Sequence, residues 1–162
     1  MEQLRLFIDQ LIALGAQEDL ISIGREINDL KIAFDDHLLE SERLEQIASL
    51  EANERGEQRE PVDFKEIRLE FSNHYKSIQE RRKQQISLKD TLERENLKLK
   101  KGLLEELKEI IASEEHIASA FQSYKTIHET WKKVGDIPRE FRDSIQKEYA
   151  RLIEIFFYTM RI

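Results

Sequence analysis

The chain has no cysteine. Disulfides, thiolate nucleophiles and thiolate metal ligands are therefore excluded, and nothing argues for an oxidising compartment. Only two prolines and five glycines interrupt 162 residues, so breaks are few and long helices have room to form. The longest nearly apolar run, LIEIFFYTM at 152–160, is too short to span a bilayer and contains Glu154. The N-terminal MEQLRLFIDQLIALG has neither a basic leader nor a small-residue cleavage site, so it does not read as a signal peptide. The expected location is cytoplasmic, with no membrane contact.

Motifs for chemistry are missing as well. Neither G-x-x-x-x-G-K-[ST] nor G-x-G-x-x-G occurs, so no phosphate-cradling loop is expected. No G-x-S-x-G elbow is present, and covalent catalysis needs a nucleophile beside an oriented base. Carboxylate-bridged metals in helical bundles use Glu-x-x-His. The residues three positions before His37, His74, His116 and His128 are Phe34, Phe71, Ser113 and Lys125, so none makes that motif. The expectation is no enzyme, no cofactor, and no catalytic or metal-binding residue.

What the chain does contain is charge and helical periodicity. Charged residues make up 36% and hydrophobic ones 40%, against a usual charged share of roughly 25%. Leu, Ile and Phe recur at helical spacing, which argues against disorder over most of the length. The net charge of −7 is unevenly spread. Residues 1–60 carry −9 and residues 79–102 carry +4, around RRK (81–83) and KLKKG (98–102).

Five helical segments are expected. Around 2–14, Leu4, Phe7, Ile8, Leu11 and Leu14 form one apolar face. GAQED at 15–19 interrupts it, with Gly15 suited to a left-handed C-cap and Glu18 and Asp19 to the next first turn. A second helix begins near residue 19 and runs to about 52, with Leu20, Ile23, Ile27, Leu30 and Phe34 as its stripe. ANERGEQREP (52–61) then has no apolar residue after Ala52, so 53–61 reads as a linker or disordered loop. The third helix spans 62–112, with a seam of Phe64, Ile67, Phe71, Tyr75 and Ile78 and a largely apolar-free middle. Unbroken, it would be about 75 Å long. Ser113 is a candidate N-cap for a fourth helix, followed by the acids Glu114 and Glu115. That helix aligns Ile117, Phe121, Tyr124, Ile127 and Trp131 on one face; a fifth aligns Phe141, Ile145, Tyr149, Leu152 and Phe156. The segments are thus 1–52, 53–61, 62–112 and 113–162.

Between the last two helices lies HETWKKVGDIPREF (128–141), with the single Trp. Trp131 ends an apolar face, Gly135 suits a left-handed helix end, and Pro138 suits the first turn of the next helix. Ile137 can staple onto Phe141. Trp131, Gly135, Pro138 and Phe141 are therefore read as a structural corner. This stretch, with LLEELKEIIASEE (103–115) and AFQSYKTIHETW (120–131), resembles a family of bacterial helical repeats catalogued only as a domain of unknown function, number three hundred and forty-nine. The resemblance is best over 103–162. It implies tandem helical units and brings no activity or cofactor. With the apolar end FFYTMRI, it also leads us to expect a fragment of a longer repeat protein whose last helix continues.

A weak internal repeat agrees. Leu11 and Leu14 answer to Leu107 and Ile110 at an offset of 96, and Leu20, Ile23, Ile27, Leu30 and Phe34 to Ile117, Ala120, Tyr124, Ile127 and Trp131 at 97. In the first copy Phe34 stands in place of Trp and no G-x-I-P follows, so its helix is expected to run on.

The fold expected from these features is all-α: antiparallel helical hairpins joined by a long, partly solvent-exposed, coiled-coil-like helix, elongated in shape. The expected function is a non-enzymatic interaction or scaffold module of a larger cytoplasmic bacterial protein, pairing with a protein partner or itself through helix faces. The alternative is a nucleic-acid- or ribosome-associated protein using Arg81, Arg82, Lys83, Lys98, Lys100 and Lys101. Interspersed acids and the lack of stacking aromatics over 79–102 disfavour it.

Overall fold

The computed structural model describes residues 1–113 and 116–160. Among them are five helices and no strand: α1 (Glu2–Gly15), α2 (Gly24–Glu54), α3 (Lys65–Ala112), α4 (Ile117–Lys133) and α5 (Arg139–Thr159). The fold is all-α. No helix among the described residues is long and apolar enough to cross a membrane. The chain divides into two compact units, Met1–Ile86 and Ser87–Ile162. The division falls inside α3, whereas the sequence pattern places segment boundaries at 52, 61 and 112.

In the first unit, the apolar stripes meet as their spacing requires. Leu4, Ile8 and Leu11 of α1 and Ile27 of α2 are fully buried, and Phe34 of α2 nearly so. Ile67, Phe71 and Ile78 of α3 close the same core. Burying side chains of this size stabilises by about 1.5–3 kcal/mol each before entropy is counted. Arg5 near the start of α1 pairs with Glu70, while Arg81 donates to the Gly15 carbonyl at its end. These contacts run in the same direction along both helices, so α1 and α3 are parallel. The contacts Phe34–Phe71 and Arg68–Glu42 run in opposite directions, so α2 is antiparallel to α3.

The connector between α1 and α2 differs from the expected pattern. The second helix starts at Gly24, not near 19. Leu20 and Ile23 are buried core residues that lie outside it. Asp19 holds the chain out of the helix, because its Oδ1 accepts from the backbone N–H groups of Ile21 and Ser22. Gly15 is not left-handed either. It is the last residue of α1, and the only glycine with positive φ is Gly56, at 69°. A Cβ on Gly15 would meet Ile78 Cδ1 and Cγ1 at 2.7 Å, so the glycine serves close approach rather than a turn.

Gly56 supplies the left-handed end where α2 stops. Its N–H donates to the Asn53 carbonyl and that of Glu57 to the Ala52 carbonyl, the paired bonds of a Schellman ending. The loop that follows is strapped back onto α2. Arg59 makes a two-pronged pair with Glu45 at 2.8 and 2.9 Å, and the Val62 N–H donates to the same carboxylate at 3.0 Å. Asp63 Oδ1 then accepts from the Lys65 N–H to open α3.

The second unit repeats the topology. Lys108 of α3 pairs with Glu148 of α5 at 3.0 Å and Asn96 donates to the Asp136 carbonyl just before α5, so these two helices are parallel. The stacks Trp131–Tyr149 and Tyr124–Phe156 make α4 antiparallel to α5. Leu104, Leu107, Ala120, Ile127, Leu152 and Phe156 lie in its core. Ser113 is not the N-cap of α4. Its hydroxyl donates to the Ile110 carbonyl at the end of α3, and His116 caps α4 by accepting from the Ala118 N–H. Glu114 and Glu115, expected in a first helical turn, lie outside the described residues, as does any continuation of the last helix beyond residue 160.

Candidate functional site

The corner between α4 and α5 is built around Trp131. Its ring stacks on Tyr149 with centroids 3.8 Å apart and planes 8° from parallel. Lys100 Nζ sits 4.6 Å from the centroid of the same ring, within the range of a cation–π contact. Tyr149 is buried, and its hydroxyl has a short 2.7 Å hydrogen bond with His128 Nδ1. Burial, and secondarily the nearby Tyr124, pushes the Tyr149 phenol up to about 12. That phenol remains protonated at neutral pH and acts as a hydrogen-bonding core residue.

The chain leaves α4 at Val134, whose extended backbone (φ −68°, ψ 128°) ends the helix. Gly135 is not left-handed, contrary to the reading of the corner from sequence. A Cβ there would stand 3.1 Å from Asn96 Nδ2, and it is Asn96 that donates to the neighbouring Asp136 carbonyl at 2.8 Å. Arg142 Nε grips the next carbonyl, Ile137, at 3.1 Å. Pro138 is the N-cap of α5, one position before the helix. Its fixed φ, here −54°, needs no N–H donor at that point. Ile137 is buried, whereas Phe141 is 36% exposed with Lys101 Nζ 5.4 Å from its ring centroid. The buried seam of α5 therefore begins at Ile145 rather than Phe141.

A cavity of about 570 Å³ at this corner is lined by Lys100, Asp136, Arg139, Arg142 and Asp143, among others. A second, of about 630 Å³, is mainly apolar, with Leu99, Gly102, Leu103 and Thr130 in its wall. Both are broad and open. Among the described residues, no group of three or more His, Asp or Glu side chains could hold a metal ion.

The six residues of the candidate nucleic-acid patch do not form one surface feature within either unit. Arg81 and Arg82 belong to the first unit, where they act on backbone. Arg81 donates to the Gly15 carbonyl at 2.9 Å, and Arg82 to those of Leu20 and Ile21 at 3.1 and 3.3 Å. Gln85 adds a third hold: its Oε1 accepts from the Leu20 N–H and its Nε2 donates to the Glu18 carbonyl, each at 2.9 Å. Gly24 lies so close to the Arg82 guanidinium that a Cβ would collide with it. This clasp on the α1–α2 connector was not foreseen, since nothing in a charge count shows which carbonyls an arginine will meet. Lys100 and Lys101 lie over Trp131 and Phe141 in the second unit. Lys83 and Lys98 are exposed.

A family model described as Domain of Unknown Function (DUF349) matches residues 66–140, just under half of the chain. The matched stretch is similar to that family from the start of α3 through the first residues of α5, and it includes Trp131, Gly135 and Pro138. It overlaps the resemblance seen in sequence over 103–140 and reaches further towards the N-terminus. No curated protein and no solved structure matches the chain.

Proposed function

We propose that the chain is a non-enzymatic helical interaction module within a larger cytoplasmic bacterial protein, working by display of helix faces to a protein partner or a second copy. The observation that carries this reading is the set of large apolar side chains left in solvent on α2 and α3. Leu39 is 70% exposed, Leu50 60%, Leu88 61% and Leu99 57%. Single exposed leucines are ordinary, but recurrence on one face of a helix is what an unfilled packing surface looks like. The polar side chains of the two clasps support the same reading, because Arg81, Arg82, Gln85 and Asn96 are committed to holding connectors. Against the nucleic-acid alternative, Arg81 and Arg82 each commit part of their guanidinium donors to backbone carbonyls.

Affinity purification of the full-length protein, with and without nuclease and followed by mass spectrometry, tests the proposal. Protein partners retained after nuclease are expected. Partners lost with nuclease, together with steeply salt-dependent RNA binding, would replace this reading with the nucleic-acid one.

A further inference from the structure

Two of the exposed apolar faces have opposite charge and the same spacing. On α2, Leu39 and Leu50 are eleven residues apart, three helical turns, which places them on one face about 16 Å apart. Ile47 lies beside them, 40% exposed, and the exposed acids Asp36, Glu51 and Glu54 flank the row. On α3, Leu88 and Leu99 are also eleven residues apart, with Leu92 between them, 50% exposed. The flanking exposed bases here are Lys89 and Lys98.

Each row also contains one charge of the opposite sign. Arg43 lies within the acidic row and Glu95 within the basic one, both exposed. The exceptions are therefore complementary as well. Pairing α2 with another α2 would set acids against acids, and pairing α3 with another α3 would set lysines against lysines. Like charges across an interface are unfavourable, and opposite charges select the partner.

We infer that the acidic leucine face of α2 (Leu39, Leu50) docks on the basic leucine face of α3 (Leu88, Leu99) of a second copy of this chain. The inference rests on the interaction-module reading and names its partner. The contact is heterologous, because two different faces meet, so it either closes by reciprocal exchange between two copies or adds copies in series.

Light scattering and sedimentation of the full chain over a range of concentrations provide the test. The mass is expected to rise to at least twice that of one chain, and to fall again as salt is added. Two double variants separate the faces: Leu39→Asp with Leu50→Asp, and Leu88→Asp with Leu99→Asp. Each alone is expected to weaken association at least about tenfold. Mixed in equal amounts, they are expected to form a one-to-one dimer, since each supplies the face that the other has lost. Circular dichroism checks that both remain helical. Should either unfold, the fourfold charge exchange Glu51→Lys, Glu54→Lys, Lys89→Glu and Lys98→Glu in one chain replaces it. That exchange is expected to associate with itself and not with the wild type.

A wild-type chain that stays monomeric at every concentration overturns the inference, as does a double variant that still associates alone, or a mixture that does not recover. A monomer that still retains protein partners after nuclease would leave the module reading standing and remove only the second copy as partner.

Discussion

The two units solve the same packing problem with different parts. In each, two parallel helices flank an antiparallel middle one, and an aromatic residue of that middle helix stacks face to face on an aromatic of the last. Phe34 on Phe71 has centroids 3.9 Å apart with planes at 8°; Trp131 on Tyr149 has 3.8 Å and 8°. Ile67, Phe71 and Ile78 correspond at one constant offset to Ile145, Tyr149 and Phe156, all buried. Each unit also brings a glycine in or beside a connector against a polar side chain of α3 that donates to a connector carbonyl: Gly24, the first residue of α2, with Arg82, and Gly135 with Asn96. What differs is the end of the middle helix. Trp131 is followed within three residues by the end of α4, whereas α2 runs on for twenty residues past Phe34 to Glu54. The comparison shows that the stacked aromatic sets the core, while the residues after it decide how much helix is left to display.

The largest expected effect tests the equivalence of the two stacks. Phe34→Ala and Trp131→Ala should each destabilise by about 3–5 kcal/mol, the usual cost of emptying an aromatic core site. Hydrogen exchange of the full chain locates the damage, and protection should fall first in 1–86 for Phe34→Ala and in 87–160 for Trp131→Ala. A cost below about 1 kcal/mol for either would break the parallel, because that ring would not be holding its unit together.

Next come the glycines. Gly15→Ala places a methyl 2.7 Å from two carbons of buried Ile78, and overpacking of this kind costs about 1–3 kcal/mol. At Gly135 the neighbour is the Asn96 amide at 3.1 Å on an exposed corner. It can yield a few tenths of an ångström, so Gly135→Ala should lose no more than its hydrogen bond, about 1 kcal/mol. Urea denaturation of both variants checks the order. Equal costs would mean that the contact of Gly15 with Ile78 is as yielding as the corner in the second unit.

These glycines also mark where sequence reading stopped. The helices were legible because Leu4, Ile8 and Leu11, or Ile145, Tyr149 and Leu152, repeat at helical steps and meet partners with the same period. Phe34 and Trp131 could be matched across the chain for the same reason. The match failed at its upstream end: Leu20 and Ile23 lie in a connector, while their counterparts Ile117 and Ala120 belong to α4. A glycine near a helix end suggests a left-handed turn, yet neither Gly15 nor Gly135 has a positive φ. The actual constraint comes from Ile78 and Asn96, distant in sequence and silent in local pattern. Phe141 fits the apolar spacing of α5, yet it lies beyond the reach of the core and under Lys101 instead.

The loop before α3 is strapped onto α2, and acid should release it. The Glu45 carboxyl is held below the usual carboxylate range, first by the Arg59 hydrogen bonds and then by the Val62 N–H. A lowered folded-state pKa means that this contribution is fully present above the unfolded value and is lost as pH falls through the folded one. The Val62 amide should therefore exchange faster as pH drops below the ordinary carboxylate range, after correction for intrinsic exchange. Glu45→Ala, which removes the acceptor, should show that faster exchange already at neutral pH. An amide equally protected in both proteins would show that the loop is held by something other than this carboxylate.

The smallest effect should carry the opposite sign. Gly102 lies within α3 in the second unit, and a Cβ there meets nothing within 4 Å. Its backbone is helical and its φ is not positive, so alanine fits without strain. Gly102→Ala should stabilise by up to about 1 kcal/mol, the propensity difference in a helix interior. Part of that gain comes from the lower entropy of the unfolded chain. The single tryptophan reports it directly, since Trp131 fluorescence follows the second unit through urea denaturation and the midpoint should rise without a change in slope. A fall in the midpoint would mean that the glycine is used for close approach, as Gly15, Gly24 and Gly135 are. The cavity beside Leu99 and Thr130 would then have to be a packed surface in solution.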